Sequence, residues 1–384
     1  MCYYQKNKKT KQTKKRLNCF ASSMSPAELL KGLNLQLFYP ENHAAIIGIK
    51  REEHKFINKT STITGYNENC CSYMLSDIGA NIQNKYLINE WQAPDLIVYN
   101  TNQCIEIKHW LLYYAEKYKV PAFGIETPHC IEKNNTTVIE SIKKQQNKLI
   151  KSIENHFDIQ FDKQLFQEVL KNSIEISKYW QKIHELTKNN PSPLNFFDLC
   201  IKMGPAVTQR GEKETVQYYQ KLLEEIQSKK IKAINHKQYR LLWCGLPVWG
   251  RLRYMSNFFN SLNACIVNST YTSSWIFNMD IEDPLTSIAK TYTELFINLT
   301  EEEKFKYLSK MIQEWNIDGI LFHHSLSCKR NCDNIYGLSK KLKETLNIPS
   351  ITFEADHNIL KHFNKRHFTT SVEALIDQID KKKK

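Results

Sequence analysis

The sequence predicts an α/β protein built from two open parallel-sheet domains with a helical middle section. Three observations carry that expectation. Short apolar runs alternate with amphipathic helical spacing from Ser25 to Ile125 and again from Tyr239 to Ile379, the order that lays helices over a parallel sheet. Between about Thr137 and Lys232 the strand signals fade, and long Lys-, Glu- and Gln-rich stretches with helical periodicity replace them. At 384 residues the chain is long for a single core, so two domains are expected.

Taken in order, Ser25-Pro-Ala-Glu28 has the spacing of a capping box with proline at the first helical position, and Gly32 is the expected stop. Leu35–Tyr39 reads as a strand, His43–Phe56 and Tyr73–Leu87 as helices, Leu96–Tyr99 as a strand, Ile105–Tyr118 as a helix and Ala122–Ile125 as a strand. The helical section is interrupted at Asn189-Asn-Pro-Ser-Pro193 and at Gly204-Pro205. Strands then fall at Tyr239–Cys244, Ala264–Val267, Ile320–Phe322 and Ser350–Phe353, with helices at Leu252–Leu262, Glu301–Trp315, Asn334–Leu346 and Ser371–Ile379. Both halves follow the open-sheet logic of Rossmann and flavodoxin-like folds. The expected division is a basic disordered tail (1–20), an N-terminal α/β domain (21–136), the helical section (137–234), a C-terminal α/β domain (235–380) and a basic tail (381–384).

The net charge of +13 suggests nucleic acid until it is located. Residues 1–27 hold seven Lys/Arg and no acid, and 381–384 are four lysines, so the body of the chain is close to neutral. A solvated arm is the better reading of those ends, because no folded basic face or aromatic interleaving accompanies them. No stretch has the continuous apolar core of a signal peptide or membrane span, and eleven unevenly spaced cysteines argue for reduced thiols in a cytoplasm.

Three of those cysteines share a setting. Asp318 to Lys329 reads as a buried strand that delivers Cys328; Cys104 follows the apolar run Asp95–Tyr99, and Cys71 and Cys104 each precede or open an amphipathic helix. In open α/β sheets, ligands bind beyond the carboxyl ends of the strands, where helix N-termini favour thiolate over thiol. Three such thiols can hold a metal cluster between the domains. Separations of 33 and 224 residues match no compact metal motif, however, and on spacing alone three buried thiols is the simpler reading. A structural zinc site is a weaker rival, since no fourth ligand stands at finger-like spacing.

Other polar residues are open to two readings. Glu41 and His43, where a strand gives way to a helix, suit substrate contact or proton transfer, and equally a helix cap and a core histidine. Of His323 and His324, at most one can face a site, because neighbours in a strand point opposite ways. Ser325 and Ser327 are cluster-sulfur donors or loop residues, and Asp356 a catalytic or a loop carboxylate. Trp91, Trp110, Trp180, Trp243, Trp249, Trp275 and Trp315 read as core and interface; Cys2, Cys19, Cys130, Cys200, Cys244 and Cys265 read as structural or incidental.

Four motifs carry a resemblance: Tyr39-Pro-Glu-Asn-His-Ala-Ala45; Gly65-Tyr-Asn-Glu-Asn-Cys-Cys-Ser-Tyr73 with Asp77-Ile-Gly-Ala80; Asn102-Gln-Cys104 with Lys108-His-Trp110; and His324-Ser-Leu-Ser-Cys-Lys329. Over about Ala21 to Ile379 the chain resembles the 2-hydroxyacyl-CoA dehydratase and benzoyl-CoA reductase family, in the subunit type of the D-component of 2-hydroxyglutaryl-CoA dehydratase. The resemblance implies a 4Fe-4S cluster on Cys71, Cys104 and Cys328, with one iron left open. Cys70 beside Cys71, and Cys332 after Cys328, are spare thiols or substitute ligands.

What the resemblance implies further is a lyase of anaerobic amino-acid fermentation. It would be an oxygen-sensitive heterodimer of this chain with a homologous subunit, fed one electron by a separate ATP-dependent iron–sulfur activator. Water would leave a 2-hydroxyacyl-CoA through a ketyl radical, since the β-proton is otherwise not acidic. No Gly-x-x-x-x-Gly-Lys loop occurs, in keeping with ATP being handled elsewhere. The alternatives are a benzoyl-CoA reductase subunit, a non-catalytic cluster-bearing partner, and nucleic-acid binding through the tails.

Overall fold

The computed structural model describes residues 16–88, 92–228 and 239–383. The basic segment 1–15 with Cys2, Trp91, the expected boundary at 234 and Lys384 lie outside the described residues.

The structure holds two four-stranded parallel sheets covered by helices. In the first, β1 (Asn18–Ala21), β2 (Gln36–Phe38), β3 (Leu96–Asn100) and β4 (Ala122–Ile125) lie in the order β2-β1-β3-β4. In the second, β5 (Tyr239–Cys244), β6 (Ala264–Ser269), β7 (Gly319–Ser325) and β8 (Ser350–Ala355) lie in the order β6-β5-β7-β8. The same topology thus occurs twice, and in each sheet the winding direction reverses between its two central strands. That reversal opens a crevice at the carboxyl ends of β1 and β3, and of β5 and β7.

One apolar cluster runs from Phe20 and Ile97 in the first sheet through Trp110 and Phe196 to Trp243 and Leu321 in the second. At roughly 1.5–3 kcal/mol for each fully buried Leu, Ile or Phe, this seam holds the sheets together and so fixes the loops at their ends. The helical section docks on the second sheet partly through Arg240. Its guanidinium donates to the carbonyls of Thr187 (2.9 Å), Asn189 (2.9 Å) and Trp315 (2.8 Å), two of them just past the C-terminus of the helix Lys163–Leu186, where a cation is favourable.

Three local expectations are corrected. Residues 18–20, read as part of the tail, belong to β1, a fully buried central strand. The single helix over His43–Phe56 is two helices, Pro40–Lys50 and Glu53–Thr64, because Arg51 takes a left-handed conformation (φ 59°) and its Nε donates to the Gly250 carbonyl at 3.0 Å. No capping box forms at Ser25–Glu28: Ser25 Oγ bonds Ser22 Oγ (2.7 Å), and Glu28 turns inward to accept from the Tyr292 hydroxyl (2.8 Å). A further helix for which the sequence carried no expectation, Pro284–Thr293, packs on Thr136–Phe157; Asp283 accepts from the Thr286 N–H as its N-cap.

Candidate active site at the cysteine triad

Each of the three cysteines lies just before a helix begins. Cys71 immediately precedes the helix Ser72–Ile82, Cys104 lies between β3 and the helix Glu106–Tyr118, and Cys328 lies between β7 and the turn Lys329–Cys332. Since β3 and β7 hold the same place in their sheets, Cys104 and Cys328 are equivalent positions of the two halves.

Burial pushes the Cys104 thiol up to about 12 and carries those of Cys71 and Cys328 well above the ordinary thiol range. Repulsion from Cys104 adds to the rise at Cys71, and repulsion from Cys71 and Cys104 adds at Cys328, so the sulfurs share one electrostatic neighbourhood. Opposing that rise, first-turn backbone N–H groups point at each sulfur: Met74 and Tyr73 at Cys71, Ile107 and Glu106 at Cys104, Asn331 at Cys328. Among the described residues, no three His, Cys, Asp or Glu side chains converge as ligands of a single metal ion do. A cluster makes a different demand, for thiolates on separate irons around a common space. Three neighbouring thiols, each met by N–H groups that favour a thiolate, suit that demand.

A buried polar network joins two of the cysteine loops. The Ser72 N–H donates to Ser327 Oγ (3.2 Å), and Ser327 in turn donates through its N–H (3.1 Å) and its hydroxyl to Asp356. His357 bridges Ser72 Oγ (3.0 Å) and Ser325 Oγ (2.7 Å). Burial alone would raise the Asp356 carboxyl; His357 and the donors from Ser327 and Ile359 overcome it and hold that carboxyl below its usual range. Asp356 is therefore a loop-fixing carboxylate. Cys332 is engaged by its own loop: its sulfur accepts from the Ser325 N–H (3.1 Å) and donates to the Ser325 carbonyl (3.3 Å).

A cavity of about 420 Å³, within the size range of small-ligand sites, is lined by chain neighbours of the three cysteines, though by none of the three themselves. Its wall includes Gln103, Tyr73 and Asn331, which stand one, two and three residues from Cys104, Cys71 and Cys328. Glu41 is on the same wall, its Oε2 accepting from the Ser23 N–H (2.5 Å) and its Oε1 from Gln103 Nε2 (3.0 Å). Burial raises the Glu41 carboxyl above its ordinary value although both bonds oppose the rise. Tyr73 accepts from Trp249 Nε1, and Tyr73 and Tyr271 interact.

His43 does not reach this wall. Fully buried, it pairs with Asp77 through Nδ1 (2.6 Å) and accepts from the Leu87 N–H at Nε2 (3.3 Å), so both ring nitrogens are spent. Asp77 also receives Trp110 Nε1 (3.1 Å) and the Tyr114 hydroxyl. These contacts are those of the core-histidine reading, and none of them faces the cavity. Neither His323 nor His324 lines the cavity; His323 donates through Nδ1 to the Leu246 carbonyl (2.6 Å) and stacks on Phe353, while His324 lies half-buried near Glu354.

Comparison with known proteins adds to this geometry. A family described as "2-hydroxyglutaryl-CoA dehydratase, D-component" matches residues 22–379. The chain belongs to that D-component family. It is 26% identical to the (R)-2-hydroxyisocaproyl-CoA dehydratase alpha subunit of Clostridioides difficile, over 95% of this chain and 90% of that one. It is likewise 26% identical to the alpha subunit of lactoyl-CoA dehydratase of Anaerotignum propionicum (95% and 91%), and 24% identical to a benzoyl-CoA reductase subunit of Thauera aromatica (93% and 87%).

For this D-component chain, the sequence reading missed much of the cavity wall. Trp249, Trp275 and Cys200 are buried in the core, as expected, and line the cavity as well; Ser23, Gln103, Tyr73 and Tyr271, none of them singled out, also line it. One signal was available: Ser22-Ser23 follows the run Asn18–Ala21, as Gly245-Leu246 follows β5, and both are carboxyl ends of central strands.

Proposed function

We propose that this chain is the cluster- and substrate-bearing subunit of a 2-hydroxyacyl-CoA dehydratase, a lyase that removes water from the thioester to give the 2-enoyl-CoA. Cys71, Cys104 and Cys328 would hold a 4Fe-4S cluster. When bound, that cluster supplies one-electron chemistry, by the ketyl-radical route that family resemblance implies, and a Lewis-acidic iron without a protein ligand. The observation that carries the reading is the placement of Gln103, Tyr73 and Asn331: one ligand-sized cavity is lined by near neighbours of all three cysteines.

The chain's own residues do the rest. Glu41, held by Ser23 and Gln103 with its carboxyl raised by burial, takes the β-carbon proton after hydroxide has left the α-carbon and passes it to that hydroxide, so that the two leave together as water. No helix among the described residues is long and apolar enough to cross a membrane. A homologous second subunit and an ATP-dependent activator are the expected partners.

The match to a benzoyl-CoA reductase subunit favours a second reading, in which electrons stay on an aromatic ring. Product analysis under anaerobic conditions, with partner and activator present, tests both. Water loss from a 2-hydroxyacyl-CoA with no net consumption of reductant supports the dehydratase. Ring reduction of benzoyl-CoA, without dehydration, would replace it.

A further inference from the structure

The cavity also says what kind of acyl chain it takes. Gln103, Tyr73 and Asn331 lie next to the cysteines, where a thioester carbonyl and its 2-hydroxyl would have to sit. Beyond them the wall is built from Ile46, Met203, Val207, Leu246, Trp275 and Phe296, with neutral Thr and Ser hydroxyls between. Met203 and Val207 are themselves buried, so this part of the wall is packed against the interior. Among the described residues lining the cavity there is no arginine, and the one lysine, Lys50, donates its Nζ to the Leu87 carbonyl at 3.2 Å on the exposed side. The one acid is Glu41.

A carboxylate at the far end of the acyl chain would therefore lose its water, gain no fixed cation and share the cavity with an acid. A methyl-sized tail would leave much of a cavity of about 420 Å³ without contacts. We infer that the acyl group is uncharged and bulky, a branched aliphatic or aryl 2-hydroxyacyl thioester, and that dicarboxylic 2-hydroxyacyl thioesters are rejected. This inference rests on the acyl-thioester reading above.

Binding tests it without turnover. Trp249 and Trp275 on the wall make quenching of intrinsic fluorescence a direct readout for the full-length chain titrated anaerobically. The probes are 2-hydroxy-4-methylpentanoyl-CoA, 2-hydroxy-3-phenylpropanoyl-CoA, 2-hydroxyglutaryl-CoA and free CoA. Both apolar thioesters should bind at least about tenfold more tightly than 2-hydroxyglutaryl-CoA, and Ile46→Arg, at a half-buried wall position, should reduce that preference about tenfold. Equal or tighter binding of 2-hydroxyglutaryl-CoA to the unmodified chain overturns the inference and leaves the acyl-thioester reading standing. If no thioester binds more tightly than free CoA, both fall.

Discussion

The backbone N–H of Ser72 donates to the hydroxyl of Ser327 at 3.2 Å, joining residues 255 positions apart in the chain. Ser72 follows Cys71 and Ser327 precedes Cys328, so this bond sets two of the three thiols relative to one another across the two halves of the molecule. Asp356 and His357 hold the bond from the second sheet. Removing the Asp356 charge by Asp356→Asn leaves buried donors poorly satisfied and should cost about 2–3 kcal/mol, read as a lower urea midpoint at unchanged slope. The same variant should also lose iron faster under a chelator. A variant as stable as the unmodified chain would show that the network is dispensable.

Glu41 and His43 separate cleanly in a paired experiment. Glu41→Gln is isosteric and keeps an oxygen for the Ser23 N–H, with the Gln103 amide turned over to accept from the new NH2, but it cannot accept the proton, so turnover should fall by about 10² or more with folding and iron content unchanged. His43→Ala leaves Asp77 short of a buried partner, and should cost about 2–3 kcal/mol of stability. Comparable turnover losses at full stability in both variants would contradict the assignment.

Two buried histidines give the fold an acid limit. His184 and His323 are held neutral by burial, each lowered from 6.5 to about 4. The unfolded chain therefore binds protons first, and stability falls as pH drops from about 6.5 towards 4, by up to about 3 kcal/mol for each. Urea midpoints measured between pH 7 and pH 4.5 should show this decline. His184→Gln should flatten it.

How much of this was legible in the sequence follows from where each signal lives. Strands such as Leu96–Asn100 and Gly319–Ser325, with a cysteine after each, announce themselves as apolar runs followed by helical spacing. The four-residue strand Asn18–Ala21 was hidden by the basic run that adjoins it, and with it went the meaning of Ser23. Arg51 ends a helix in a left-handed conformation, which its residue type does not advertise. The cavity wall comes from separated parts of the chain, including Glu41, Gln103, Met203, Trp249 and Trp275, which share no spacing; only the packing of the two sheets brings them together.

Arg240 tests how the helical section is anchored. Its guanidinium is buried and satisfied by carbonyls on either side of the docking seam. Arg240→Ala strands those acceptors and should cost about 3–5 kcal/mol, with proteolysis appearing first in the helices between residues 163 and 228. Unchanged thermal unfolding and protection would show that the section is held elsewhere.

The central claim is that Cys71, Cys104 and Cys328 together hold one cluster. Iron and acid-labile sulfide should be quantified on chain purified anaerobically and reconstituted, alongside Cys71→Ala, Cys104→Ala, Cys328→Ala and, as a control, Cys332→Ala. The account predicts about four irons per unmodified chain, a sharp fall in each of the first three variants and little change in the fourth. An unmodified chain that takes up no iron, or three single variants that each retain the full complement, would contradict it.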